Sequence, residues 1–89
     1  MDKIKAELTA ITEKYEIETK AKLAATNDTD SYLDKIEILL QSGRTHHDKI
    51  VGYIIDNVGD LSSDEKYYIE TAKRQCLSRF ETFLKETPL

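Results

Sequence analysis

Residues 62–85 read SSDEKYYIETAKRQCLSRFETFLK, and this stretch decides the fold. Ser62 followed by Glu65 three positions later is a capping box: each side chain satisfies a backbone N–H that the first helical turn leaves free. Beyond it Ile69, Ala72, Cys76, Phe80 and Phe83 recur at spacings of three and four. That period places them on one face of a helix expected over 63–85. Pro88, just past it, cannot continue the helix.

Working back from this helix, Ile50, Val51, Ile54, Ile55 and Val58 make the preceding stretch apolar on two sides, as expected of the most buried segment. Thr45 with Asp48 reads as its start and Gly59 as its end, giving a helix over 45–58. Ser31 with Asp34 opens an earlier one over 31–42, carrying Leu33, Ile36 and Leu40 with Tyr32 and Leu39 beside them. Gly43 is well suited to end it. The alternative is one long helix hinged at Ser42-Gly43, which would make the chain a hairpin with an N-terminal arm. Thr26 to Ser31 is a run of turn and cap residues. Before it, Ile4, Leu8, Ile11 and Tyr15 mark a long helix over 2–25. Its stripe fades at Glu18 and Lys22, leaving a weaker one through Ile17, Ala21 and Ala24. The expectation is an all-α hairpin or bundle of three to four helices within one domain, with a long N-terminal helix and association between copies.

Composition narrows the function classes. A compact chain of 10.2 kDa keeps roughly 5,300 Å² of surface, so its core is thin. One cysteine makes no internal disulfide, which points to a reducing, cytoplasmic setting. No apolar run approaches the roughly 20 residues of a membrane span, and the start of the chain lacks a signal-peptide pattern. The net charge of -4 argues against general DNA or RNA binding.

Candidate chemistry is sparse. His46 and His47 point about 100° apart on a helix and have no third ligand nearby, so they read as surface histidines and no metal site is expected. Arg44, His46, His47 and Lys49 gather positive charge near the start of the 45–58 helix, where a phosphate or carboxylate is favoured. Cys76 sits in a core pattern and reads as a small apolar residue rather than a nucleophile. No glycine-rich phosphate loop, paired-acid motif or nucleophile elbow is present. Neither an enzyme nor a cofactor is expected. Tyr67, Tyr68, Arg74 and Arg79 on the last helix combine the residue types that dominate protein contacts and that also grip nucleotides, the ring on the base and the guanidinium on the phosphate. The plainer alternative has the tyrosines covering the core edge and the helix's cations pairing with Glu70, Glu81 and Glu86.

Ala72-Lys73-Arg74-Gln75-Cys76-Leu77-Ser78-Arg79-Phe80, with Leu84 and Pro88, resembles the second helix of a phage helical-hairpin family, the anti-CBASS cyclic-oligonucleotide sponges. The likeness is an alanine followed by a basic residue, a phenylalanine eight residues on, then a leucine and a proline. It covers about 17 of the 89 residues. The glutamine-glycine pair usual before the phenylalanine is Ser78-Arg79 here. The resemblance implies a non-enzymatic phage protein that assembles into a homo-oligomer and sequesters cyclic di- or trinucleotide immune signals in the host cytoplasm. It adds Tyr32, followed at a longer spacing by Lys49, to the ligand-binding candidates Arg44, His47, Tyr67, Tyr68, Arg74 and Arg79. The alternative is a helical module acting on a host or partner protein as inhibitor, adaptor or immunity protein.

Overall fold

Residues 2–26 and 32–88 are described by the structure, a computed structural model. They form α1 (Asp2–Ala25), α2 (Tyr32–Asn57) and α3 (Ser63–Glu86). The start of α3 is fixed by the expected capping box. Ser62 Oγ accepts from the Glu65 N–H at 3.2 Å, and Glu65 Oε1 accepts from the Ser62 N–H at 3.2 Å. Its end is closed by Thr87, whose hydroxyl donates to the Phe83 carbonyl at 2.6 Å. The cap proposed at Ser31 lies outside the described residues.

The separate helices expected over 31–42 and 45–58 are corrected to one helix of 26 residues. Gly43 takes no positive φ and ends nothing. Its missing side chain serves packing instead: a Cβ there would lie 3.2 Å from Leu84 Cδ1 of α3. Thr45 is accordingly mid-helix rather than a cap, and its hydroxyl accepts from Gln41 Nε2. Glycine inside a helix costs about 1 kcal/mol relative to alanine, which a long helix held on two neighbours tolerates.

α1 packs against both α2 and α3, so it is no free arm. It runs antiparallel to α2, with Leu8 in one cluster with Ile50 and Thr12 beside His46. It runs parallel to α3, with Asp2 beside Tyr68 and Glu16 beside Arg79. The result is a three-helix bundle of 53 × 21 × 17 Å. Its apolar centre is Leu8, Ile50, Ala72 and Cys76, with Ile4, Ile11, Tyr53, Ile54 and Leu77 against them.

Two expectations about burial are corrected. The α1 stripe does not pass to Ile17, which is 69% exposed. It continues inward through Thr12 and Thr19, both buried, and Thr12 is compact enough for the seam because its hydroxyl bonds its own helix. The 45–58 stretch is not the most buried either. Ile55 is 71% exposed, and Leu33 and Leu40 lie outward on the same helix. No helix among the described residues is long and apolar enough to cross a membrane.

Candidate functional site

The longest-range polar contact in the core belongs to His46. With α2 continuous, Ser42, His46 and Ile50 follow one another at intervals of four and all are buried. His46 is 1% exposed, which corrects its assignment to the surface. Its ring stacks on Phe80 at 4.1 Å between centroids and meets the edge of Tyr15 at 6.1 Å. Its Nε2 lies 2.9 Å from Thr12 Oγ1. That hydroxyl already donates to the Leu8 carbonyl at 3.0 Å, so its single proton is committed. It must accept from the ring, which assigns the neutral Nε2–H tautomer to His46. Burial holds the imidazole down to a pKa of about 4, against a smaller upward pull from Glu16 and a further downward one from His47. A neutral, buried histidine held in a stack with its Nε2–H bonded to Thr12 is structural equipment, and none of this geometry offers a substrate a proton.

The accessible site lies on the opposite flank of α2. An open groove of about 720 Å³ runs between α2 and α3, floored by Ile36, Leu39, Leu40 and Leu84 and rimmed by Arg44, His47, Asp48 and Lys85. Gly43, which carries no side chain, leaves space on the floor beside Leu84, and α1 occupies the other side of the bundle. Farther along the same seam, Val51, Ile54 and Val58 with Leu61 and Ile69 line a second groove of about 260 Å³. Both belong to one outward stripe of α2, distinct from its inward stripe through Ser42, His46 and Ile50. Apolarity on two sides of a helix therefore marked two surfaces rather than complete burial. This was the signal available in the sequence, together with the 3–4 spacing of Leu33, Ile36 and Leu40.

The residues singled out for binding fall into three groups. Arg44 and His47 share the groove rim, and Arg44 makes no ion pair among the described residues. His47 Nδ1 is 3.7 Å from Asp48. Lys49 points to the α1 side, lining a hollow with Ile11 and Tyr53. Tyr32, 62% exposed, and Tyr67, 76% exposed, stand toward opposite ends of the long axis.

The remaining candidates are engaged within the chain. Tyr68 donates its hydroxyl to Asp2 Oδ1 at 3.1 Å; partial burial, the bond and the aspartate charge all push its pKa up. Arg74 Nε lies 3.3 Å from Glu70, which also holds Lys73 at 3.1 Å. Arg79 grips Glu16 in bidentate fashion at 2.8 and 3.1 Å, with Glu13 at 3.7 Å, and the hydrogen bond to Glu16 raises its pKa. Glu70 and Glu81 each sit below the ordinary carboxylate range because cations hydrogen-bond them, Lys73 in one case and Lys85 in the other.

Cys76 is buried in the apolar centre. Among the described residues no cluster of three histidine, cysteine, aspartate or glutamate side chains could hold a metal ion. Compared with protein-family models, curated proteins and solved structures, the chain matches none of them.

Proposed function

We propose that this chain is a non-enzymatic helical binding protein whose working surface is the open α2–α3 seam. The observation that carries the reading is the division of α2 into two apolar faces, one buried on α1 and α3 and one left outward with Leu40 58% exposed. A contiguous apolar floor with a rim of both charge signs suits another helix better than a small, highly charged ligand. The chemistry-bearing groups support the same reading, since the cysteine and His46 are both inside the core.

A second reading, sequestration of cyclic di- or trinucleotides by a phage counter-defence protein, draws support from the rim itself. Arg44, His47 and Lys85 converge there, and Arg44 is free to meet a phosphate. It draws less from the rest of its expected cation set, because Arg74 and Arg79 already hold carboxylates.

A thermal-shift panel of cyclic di- and trinucleotides on the wild type and Arg44→Ala separates the two. Ligand that binds only the native state raises the melting temperature by mass action. The helix-binding reading expects no shift. A rise that Arg44→Ala removes would overturn it in favour of the nucleotide.

A further inference from the structure

We propose that the occupant of the α2–α3 seam is a second copy of this chain, laid antiparallel so that the two α2 helices pair about a two-fold axis near Thr45 and His46. This deepens the proposed function and rests on its assignment of the working surface. Three observations carry it.

The positions Leu33, Ile36, Leu40, Val51 and Val58 on the outer flank keep the three-, four- and seven-residue spacing of a helix–helix seam on both sides of the middle of α2. An antiparallel copy centred there sets Leu40 against Val51 of the partner subunit and Leu33 against Val58 of the partner subunit. Apolar side chains meet apolar side chains toward both ends of the helix, on either side of a polar middle that holds Arg44, His47 and Asp48.

Charge is self-complementary in that same register. Arg44 has no ion pair among the described residues, and the side chain of Asp48, one turn later on the same rim, is 85% exposed. Reversal of direction brings Arg44 of each copy to Asp48 of the other, so both charges are paired twice by one symmetry operation. A heterologous partner would need its own matching pattern; a second copy supplies it by construction.

The exposed area is sufficient. The chain presents 6178 Å² of surface, and an interface of standard size covers roughly 800 Å² on each partner. The open seam, bearing Leu40 and the floor of both grooves, offers apolar surface for it.

Sedimentation equilibrium on the full chain tests this. The expected mass is twice 10.2 kDa. Leu40→Glu places a charge in the seam at an exposed position and is expected to give a single-copy mass with unchanged helix content by circular dichroism. Arg44→Asp and Asp48→Arg are each expected to weaken association, since each sets like charges together at two symmetry-related points. Mixing the two variants is expected to restore association, because every contact in the mixed pair is again opposite in sign. A wild type of single-copy mass at every concentration overturns the proposal. So does a dimer that survives Leu40→Glu, or a mixture no tighter than its components. If Leu40→Glu does not fold, the mixing experiment decides alone. A single-copy wild type that binds a different helical protein in a Leu40-dependent manner overturns the second copy and leaves the working surface in place.

Discussion

The two halves of this core are built on different physics. Toward the α2–α3 turn, Leu8, Ile50, Ala72 and Cys76 form an apolar cluster whose contribution scales with the area it removes from water. Toward the other end, Thr12, Thr19, Ser42 and His46 are buried around Phe80, and only the ring of Phe80 is large and apolar. The first half is non-directional. The second half holds its polar groups by specific bonds, Thr12 to Leu8 and His46 to Thr12, and depends on His46 remaining neutral. A thin bundle can thus be completed without more apolar residues, at the expense of a dependence on geometry and pH.

Phe80 is where the contrast is easiest to break. It is 1% exposed and contacts His46 on one side and Phe83, at 5.5 Å, on the other. Phe80→Ala is expected to lower stability by about 3–5 kcal/mol, the usual loss for a buried aromatic, read by urea titration. A loss under about 1 kcal/mol would show that the polar half does not rely on the stack.

Acid should separate the halves next. The unfolded histidine titrates near 6.5, whereas the folded His46 is held down to about 4. The unfolded chain therefore binds more protons between those values, and stability is full above pH 6.5 and falls as pH drops toward 4. The shift allows a loss of up to about 3 kcal/mol. Glu16 and Tyr15 from α1 and His47 from α2 are the titratable groups facing the ring, and none inverts the sign. The depressed Glu70 and Glu81 add their own losses only below the ordinary carboxylate range, so the upper part of the window belongs to His46. His46→Phe keeps the stack on Phe80 and leaves Thr12 donating to Leu8. It is expected to flatten the stability-against-pH curve there, measured by melting at a series of pH values. An unchanged slope would place the titration elsewhere.

How legible each part was follows from how local its cause is. α3 could be read because its cap, Ser62 with Glu65, and its stripe through Ile69, Cys76 and Phe80 are written within one helix. The pairing of Arg74 with Glu70 was legible for the same reason. Arg79 with Glu16 was not, because 63 residues separate them and only the packing of α1 along α3 joins them. The threonines of α1 were hidden by their polarity: a period search weights apolar residues, and Thr12 and Thr19 fill apolar places. The misplaced break at Gly43 hid His46 as well. Once a helix is taken to start at Thr45, the histidine falls in an exposed first turn. Continuity puts it in register with Ser42 and Ile50. The groove was half legible, in that Arg44 and His47 were grouped and Leu84 and Lys85 of α3 were not.

The glycines of α2 sharpen the comparison on the smallest scale. Both Gly43 and Gly52 lie inside the helix, and a methyl group at Gly52 would meet nothing within 4 Å. Gly52→Ala is therefore expected to yield the intrinsic helix preference, about 0.5–1 kcal/mol of added stability. At Gly43 the same methyl meets Leu84 Cδ1 at 3.2 Å, closer than comfortable contact. Leu84 is half-buried at the groove floor and has open space beside it, so its tip can move by a few tenths of an ångström. Gly43→Ala is expected to gain less than Gly52→Ala, and thermal melts of the two variants compared with wild type give the difference directly. Equal gains would mean that Leu84 yields freely and that the shape of the floor is not set by Gly43. A net loss at Gly43 would mean that α2 and α3 are held too rigidly there to part. In that case the seam is a firm platform whose shape the missing side chain determines, and a second helix would meet it ready-made.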